Sequence, residues 1–191
     1  MLAARGLPDT WYYQCPALVL LGSRSCLSIS GWSYVASDEP VGEFNLVTID
    51  LSPRRGPWWG DCTRAIYVEG GIARSLPSDP AFVAGHQFIT HLHSEMQQFV
   101  TTSTTFRELH EFANSRITAA GYENLDVLGN VGHSVATRTE DRVFIERNNL
   151  SLLSDVSCFT FQPRVRVRGG HWGFKHENIY FFNDSGQAEE L

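Results

Sequence analysis

The chain has 191 residues, of which 42% are hydrophobic and 19% are charged, and its formal net charge at pH 7 is −6. This composition is typical of one globular domain with a substantial core, and it excludes a largely disordered chain. The negative charge disfavours nucleic acid as a partner. No apolar run is long enough to span a bilayer and no apolar signal segment precedes residue 8, so the sequence indicates neither membrane insertion nor secretion.

Four cysteines are scattered along the chain without the short spacing of a metal-binding or redox pair: Cys15, Cys26, Cys62 and Cys158. A zinc cluster or a disulfide framework would need a different spacing. We therefore expect four reduced thiols and a cytoplasmic location.

Residues 1–70 contain strand patterns and no helix pattern. Short runs of apolar and aromatic residues, separated by glycine and proline, are typical of strands. They predict strands at 11–13, 17–21, 26–29, 46–50 and 65–68. Glycine and proline between residues 31 and 42 predict a loop before the strand that ends in Asp50.

Two amphipathic helices are predicted in the middle of the chain. Ser78-Asp79-Pro80 is a typical helix start, and apolar residues at three- and four-residue steps continue to about residue 100. Thr105 and Glu108 have the spacing of a capping box, and Gly121 is a typical helix end. Four histidines fall in these helices, and we expect surface or packing roles for them rather than metal binding: His86, His91, His93 and His110.

Short strand patterns return after Gly121, at 125–128, 143–145, 158–161, 165–167 and 179–182. The order of strands, two helices and strands predicts an α+β fold, with the helices packed on one face of an antiparallel sheet. The alternating arginines of 164–168 are typical of an exposed strand face. The polar tail from residue 184 is predicted to be frayed.

Two aspartates bracket the proline- and glycine-rich turn between two predicted strands. Asp50 and Asp61 are eleven residues apart, so the two strands would place their carboxylates side by side. Such carboxylates raise each other's pKa unless a cation lies between them, and a divalent metal is a common solution. The alternative is an ion pair of Asp61 with Arg64, with Asp50 capping a turn.

Three motifs in the second half supply partners for these aspartates: Gly132-His133-Ser134, Phe159-Thr160-Phe161-Gln162-Pro163 and Gly173-Phe174-Lys175-His176-Glu177-Asn178. In this order and spacing they resemble the metallopeptidases of the pita-bread fold, which include methionine aminopeptidase, Xaa-Pro aminopeptidase, prolidase and creatinase. The resemblance runs from about residue 17 to residue 182. It implies the pita-bread form of the α+β fold and one catalytic domain over residues 1–191 that lacks the family's N-terminal helices. A partner subunit, as in a homodimer, or a preceding region could fill that place.

The resemblance also implies a ligand set for metal ions. Asp50 resembles the bidentate ligand of one metal, Asp61 and Glu177 the bridging carboxylates, and His133 the single imidazole ligand. Such a site suits Mn²⁺, Fe²⁺, Co²⁺ or Zn²⁺. In the family a metal-bound hydroxide attacks a peptide or amide carbonyl, so the implied partner is a peptide or small amide.

Three positions depart from the family's catalytic pattern. Gln162 stands where the family has a glutamate that binds the second metal, and a neutral amide replaces that charge poorly. Ser33 and Glu140 stand where the Xaa-Pro enzymes carry histidines that contact the substrate. We therefore expect one tightly bound metal, and a second that is weak or absent.

Two further residues near the last motif are candidates for substrate binding. Lys175, two residues before Glu177, should share its strand face and pair with it or with a substrate carboxylate. His171 is a candidate pocket residue, whereas His176 should point away from the ligand face. Two hypotheses remain: a metal-dependent hydrolase, which the intact ligand types favour, and a non-peptidase of the same fold, which the three departures favour.

Overall fold

The computed structural model describes residues 3–7 and 9–191. Seven strands precede the helices: β1 Asp9–Thr10, β2 Ala17–Leu21, β3 Phe44–Leu51, β4 Pro53–Arg55, β5 Trp58–Trp59, β6 Cys62–Glu69 and β7 Ile72–Arg74. Helices α1 Pro80–Phe99 and α2 Phe106–Ala119 follow. The remaining strands are β8 Tyr122–Asn124, β9 Phe159–Phe161, β10 Arg164–Val167, β11 Gly173–Lys175, β12 Asn178–Phe182 and β13 Ala188–Glu190.

The strands form four antiparallel sheets rather than one. The largest has the order β2-β3-β6-β7, and two three-stranded sheets in the second half have the orders β11-β10-β8 and β13-β12-β9. A small sheet, β1-β4-β5, is built on the turn between β3 and β6. An isolated bridge between Thr63 and Glu177 connects the first sheet to the segment that enters β12. The two halves of the chain therefore meet where the candidate ligands lie.

Both predicted helices are confirmed, and their first turns follow the sequence signals. The Asp79 side chain accepts a hydrogen bond from the backbone N–H of Ala81 at the start of α1. Thr105 and Glu108 form the reciprocal capping box of α2, which satisfies N–H groups that would otherwise lack partners. Within the described residues, neither helix combines the length and the apolar character needed to cross a membrane.

The main core lies between the helices and the sheets. The apolar faces of α1 and α2 bury residues that include Phe82, Leu92 and Leu109. The close approach of α1 to β11 depends on Gly85, because a Cβ atom there would lie 2.3 Å from the ring of Phe174. This contact fixes β11, whose last residue is Lys175, beneath the helix.

Several of the predicted strands are turns or irregular segments in the structure. Residues 11–13 were predicted as a strand, but Tyr13 and Gln14 have positive φ angles and form a turn. Of residues 26–29, Cys26 ends a 3₁₀-helix, Gly22–Cys26, and the other three are irregular. Residues 125–128 form a turn because Asp126 accepts hydrogen bonds from the backbone of residues 128 and 130. These predictions were wrong because runs of apolar and aromatic residues do not reveal positive φ angles, short 3₁₀-helices or side-chain to backbone bonds that compete with strand pairing.

The second half also differs from the prediction at two further places. Residues 143–145 are not a strand, although Phe144 makes a single β-bridge to His133. The tail predicted to be frayed instead forms β13, which pairs with β12 from Tyr180 to Phe182. The pairing gives the polar tail backbone hydrogen bonds that its composition does not reveal. All four cysteines are free thiols.

Candidate active site

A cavity of about 310 Å³ lies at the junction of the two halves. Its walls include Leu18 and Asp50 from the first sheet, and Arg164 and Lys175 from the second half. Asp126, Asn130 and the rings of Trp11, Tyr12 and Phe144 also line it. The cavity therefore combines apolar walls with a small number of charged groups, as ligand pockets commonly do.

Three of the four predicted metal ligands converge beside this cavity. Asp61, His133 and Glu177 are buried, and each offers one ligand atom such that all three atoms lie within 4.8 Å of one another. Asp61 immediately precedes β6, and Glu177 immediately precedes β12. The Thr63–Glu177 bridge holds these two strand ends together. The fold thus collects two carboxylates and one imidazole that are distant in sequence.

The hydrogen bonds of His133 leave one ring nitrogen free to act as a ligand. Its Nδ1 lies 3.0 Å from the carbonyl oxygen of Ser134, which can only accept, so Nδ1 carries the proton. Nε2 therefore presents a lone pair, and it lies 3.3 Å from Oδ2 of Asp61. Burial lowers the pKa of His133 to about 4. Two electron-rich atoms that face each other so closely need a cation or a proton between them.

Glu177 is held on one side and unpartnered on the other. Its Oε2 accepts hydrogen bonds from Thr63 Oγ1 at 2.9 Å and from Lys175 Nζ at 3.0 Å. Its Oε1 is buried and has no hydrogen-bond partner among the described residues. Burial, together with the charge of Asp61, raises the pKa of Glu177 to about 8. An orphaned carboxylate oxygen is costly, and a bound cation would satisfy it.

Asp61 is likewise a carboxylate whose negative charge is unfavourable in a buried position. Burial and the nearby charge of Asp50 raise the pKa of Asp61 well above its usual range. Together with the free Nε2 of His133 and the orphaned oxygen of Glu177, this donor set fits a divalent metal ion. The alternative pairing with Arg64 is absent, because Arg64 instead donates to the backbone carbonyl of Glu177 at 2.7 Å.

Asp61, His133 and Glu177 are called the three-ligand group below. Asp50 is not part of it, and Lys175 neutralises the charge of Asp50. Oδ2 of Asp50 lies 2.5 Å from Nζ of Lys175, and the same ammonium group contacts Glu177. Burial lowers the pKa of Lys175, but Asp50 and Glu177 together hold it above its ordinary value. The ammonium group therefore occupies the space between these two carboxylates. The predicted pairing of Lys175 with Glu177 is present, and Asp50 is an additional partner.

Gln162 also lines the cavity, but it is not part of the three-ligand group. Its backbone N–H donates to the carbonyl of Val131 at 2.8 Å, which places it beside the irregular segment that precedes His133. Gly132 makes this approach possible, because a Cβ atom there would lie 2.1 Å from the carbonyl oxygen of Thr160. The glycine therefore sets the spacing between the two segments that carry His133 and Gln162.

Three other candidate residues lie outside the cavity. The Ser33 side chain is exposed and bonds to the backbone of Ser30. Glu140 is exposed and forms an ion pair with Arg138 at 2.6 Å. His171 is exposed, and neither it nor the other two lines the cavity. The structure does not bring any of the three to the group around Glu177.

Sequence reasoning missed two arginines that line the cavity. The guanidinium group of Arg142 packs over the rings of Trp11 and Phe144, at 4.5 and 5.7 Å from their centroids. Arg164 was predicted to lie on an exposed face, but it is half-buried and forms part of the cavity wall. Its position directly after Gln162-Pro163 was the available signal. An alternating pattern alone does not reveal which strand face is covered.

The chain was compared with protein families, with curated proteins and with solved structures. The model of metallopeptidase family M24 matches residues 2–184. No curated protein is significantly similar in sequence.

The structure is similar to that of the X-Pro aminopeptidase from Thermotoga maritima MSB8, with a TM-score of 0.73 and 18% identity over 91% of this chain and 46% of that chain. The Xaa-Pro dipeptidase from Bacillus anthracis gives a TM-score of 0.72 and 21% identity over 99% of this chain and 48% of that one. The prolidase from Pyrococcus horikoshii OT3 gives a TM-score of 0.72 and 19% identity over 92% of this chain and 46% of that one.

The chain thus spans less than half the length of each of these three relatives. At these identities, structural similarity establishes the fold alone, which is the pita-bread fold. The family model extends over nearly the whole sequence. On that ground, this chain belongs to metallopeptidase family M24.

Proposed function

We propose that this chain binds one divalent metal ion through Asp61, His133 and Glu177 and hydrolyses a peptide or small amide bond. The observation that carries the proposal is the buried, unpartnered Oε1 of Glu177 beside the free Nε2 of His133 and the carboxylate of Asp61. When bound, a divalent ion acts as a Lewis acid toward a carbonyl group and a water molecule. Mn²⁺, Fe²⁺, Co²⁺ and Zn²⁺ all suit two carboxylates and one imidazole.

The surrounding residues hold the ligand side chains in fixed orientations. The Ser134 carbonyl fixes the His133 tautomer, and Thr63 fixes Oε2 of Glu177. Arg64 secures the backbone of Glu177 through its carbonyl group. Partners of this kind reduce the cost of arranging ligands at the moment of binding. Their presence supports a retained binding role for the three-ligand group.

Two observations support one ion rather than two. The Lys175 ammonium group already lies between Asp50 and Glu177, where it supplies positive charge without a metal. Gln162 adds no charge to this side of the cavity and cannot act as a base near neutral pH. A second divalent ion would have to displace or repel a buried ammonium group. We therefore propose a second site that is weak or absent.

The same two observations favour an alternative function. A chain with Lys175 between two carboxylates and Gln162 in place of an acid could bind a peptide or amide without cleaving it, or use its single metal in another reaction class. The alternative shares the metal site with the first proposal, so metal binding does not distinguish the two. A measurement of turnover does distinguish them.

The decisive experiment measures metal content and turnover on the same preparation. Protein purified without chelator is analysed for metals, and release of the N-terminal residue from Xaa-Pro peptides is followed after reconstitution with Mn²⁺ or Co²⁺. The hydrolase proposal expects about one ion per chain and turnover that disappears in Glu177→Gln. One ion without turnover would favour the alternative. Absence of stoichiometric metal after reconstitution would contradict both.

A further inference from the structure

Two basic side chains face each other across neighbouring strands at the cavity wall. In the antiparallel pair of β10 and β11, Arg164 lies directly opposite Lys175. Both residues line the cavity. Like charges at directly opposed positions destabilise a sheet unless an anion compensates them. The positive charges of Arg164 and Lys175 therefore need negative charge close by.

Lys175 has direct ion-pair partners, whereas Arg164 has none within the described residues. Asp50 and Glu177 both contact the ammonium group of Lys175. In the described part of the chain, no carboxylate lies within ion-pair distance of Arg164. Its guanidinium group has one hydrogen bond there, to the backbone carbonyl of Leu27. Because guanidinium carries five N–H donors, most of its hydrogen-bonding capacity remains for a ligand.

The charges around the cavity favour a negative ligand once a metal is bound. Four carboxylates belong to the cavity and its three-ligand group: Asp50, Asp61, Asp126 and Glu177. Three cationic side chains face them: Arg142, Arg164 and Lys175. One divalent ion would convert this set into a net positive one. A ligand that carries one negative charge would restore neutrality.

We propose that Arg164 binds a carboxylate group of a small ligand, on the wall of the cavity next to Lys175. A planar guanidinium group matches a carboxylate through two parallel hydrogen bonds. A cavity of about 310 Å³ limits the ligand to a small one, such as a short peptide with a free carboxylate. The inference deepens the proposed function, because it assigns a carboxylate-bearing class to the substrate of the same site.

Arg142 is the other arginine to which the carboxylate could bind. Its guanidinium group is already covered by Trp11 and Phe144, and its Nε donates to the carbonyl of Thr139 at 2.7 Å. Arg164 has no aromatic ring over it within the described residues. The proposal therefore commits to Arg164, and Arg142 serves as the comparison.

Lys175 supplies a spectroscopic reporter for the test, because it is the only lysine in the sequence. Protein carrying isotope-labelled lysine side-chain nitrogen gives one side-chain ammonium signal. N-acetylglycine and its uncharged amide are titrated separately, with chelator present and again with Mn²⁺, while calorimetry records affinity. With Mn²⁺, we expect the acid to bind at least about tenfold more tightly than the amide and to shift the Lys175 signal; with chelator, the preference for the acid should be smaller.

Matched variants locate the binding group. Arg164→Gln should abolish the preference for the acid, and Arg164→Lys should retain part of it. Arg166→Gln removes an arginine of the same strand that is paired with Glu123, and it should leave the preference unchanged. Equal affinity for acid and amide with Mn²⁺, or a preference that is kept in Arg164→Gln, would overturn the proposal; a preference that is lost in Arg142→Gln but kept in Arg164→Gln would assign the carboxylate to Arg142 instead. Because the assay uses no turnover, it stands even if the hydrolase proposal fails.

Discussion

The ammonium group of Lys175 lies 2.5 Å from Oδ2 of Asp50, a residue 125 positions earlier in the chain. Lys175 is only 5% exposed, and it also contacts the fully buried carboxylate of Glu177. One side chain therefore joins the first sheet to the second half and neutralises charge from both. The stability of the fold and the charge of the site depend on the same contact.

We expect Lys175→Met to destabilise the metal-free protein by about 3–5 kcal/mol, because it leaves buried carboxylates without their partner. Mn²⁺ should recover part of this loss, since a divalent ion can take the place of the ammonium charge. Denaturant unfolding with chelator and with Mn²⁺ measures both effects. Lys175→Arg, which keeps the charge, is the control. A metal response equal to that of the unmodified protein would argue against the ammonium group occupying a cation site.

Removal of Asp61 should reduce metal content and metal-dependent stability together. A ligand that binds only the folded state stabilises it by mass action, so Asp61→Ala should lose the rise in melting temperature that Mn²⁺ gives. Metal analysis and thermal unfolding report the two quantities. Asp126→Asn alters another aspartate of the cavity wall and should keep both. Unchanged metal content in Asp61→Ala would remove Asp61 from the ligand set.

Gln162→Glu should raise the number of bound ions from one towards two. The added carboxylate supplies negative charge on the cavity wall, where the amide supplies none. Calorimetric titration with Mn²⁺ or Co²⁺ gives the stoichiometry of both proteins. The effect should be larger when Lys175→Met is combined with it, because the competing ammonium group is then absent. Two equally tight ions in the unmodified protein would contradict the one-ion proposal.

Stability should fall on acidification because His93 is buried in its neutral form. Its Nδ1 lies 2.7 Å from the hydroxyl of Tyr180, and its Nε2 lies 3.2 Å from the carbonyl of His176. Burial, with a contribution from the neighbouring charges of His176 and Arg64, lowers the pKa of His93 to about 3. The unfolded chain therefore binds more protons than the folded chain below the ordinary histidine pKa.

This contribution of His93 is fully present above pH 6.5 and is lost as the pH falls towards 3. In that window, the free energy of unfolding should decrease by up to about 1.4 kcal/mol per pH unit more in the unmodified protein than in His93→Gln. His91→Gln changes a more exposed histidine of the same helix and should keep the original slope. Parallel slopes for all three proteins would contradict the assignment.

The helices were predictable because their signals are local. The Asp79 and Thr105 caps and the three- and four-residue apolar steps lie within each helix itself. The division into four sheets was not predictable, since pairing such as that of Thr63 with Glu177 joins residues more than 100 positions apart. Local patterns contain little information about such pairing.

The candidate site was predictable only in part, for a related reason. The motifs that carry Asp61, His133 and Glu177 indicated residues that do converge. The same reasoning named Ser33 and Glu140, which the structure places on the surface. Ser33 lies in a turn and Glu140 in a short 3₁₀-helix, Thr139–Asp141, and in such connecting segments the spacing along the chain does not fix position in space. Arg164 was missed because the face of a strand that is covered depends on the rest of the fold.

The distance in sequence between Asp50 and Lys175 has a consequence for synthesis on the ribosome. The first sheet and its two aspartates emerge more than 100 residues before the only lysine of the chain. Until Lys175 has left the exit tunnel, Asp50 has no ammonium partner, so burial of its carboxylate in the β3–β6 hairpin is unfavourable. The nascent chain should therefore keep this hairpin open to water until Lys175 has emerged.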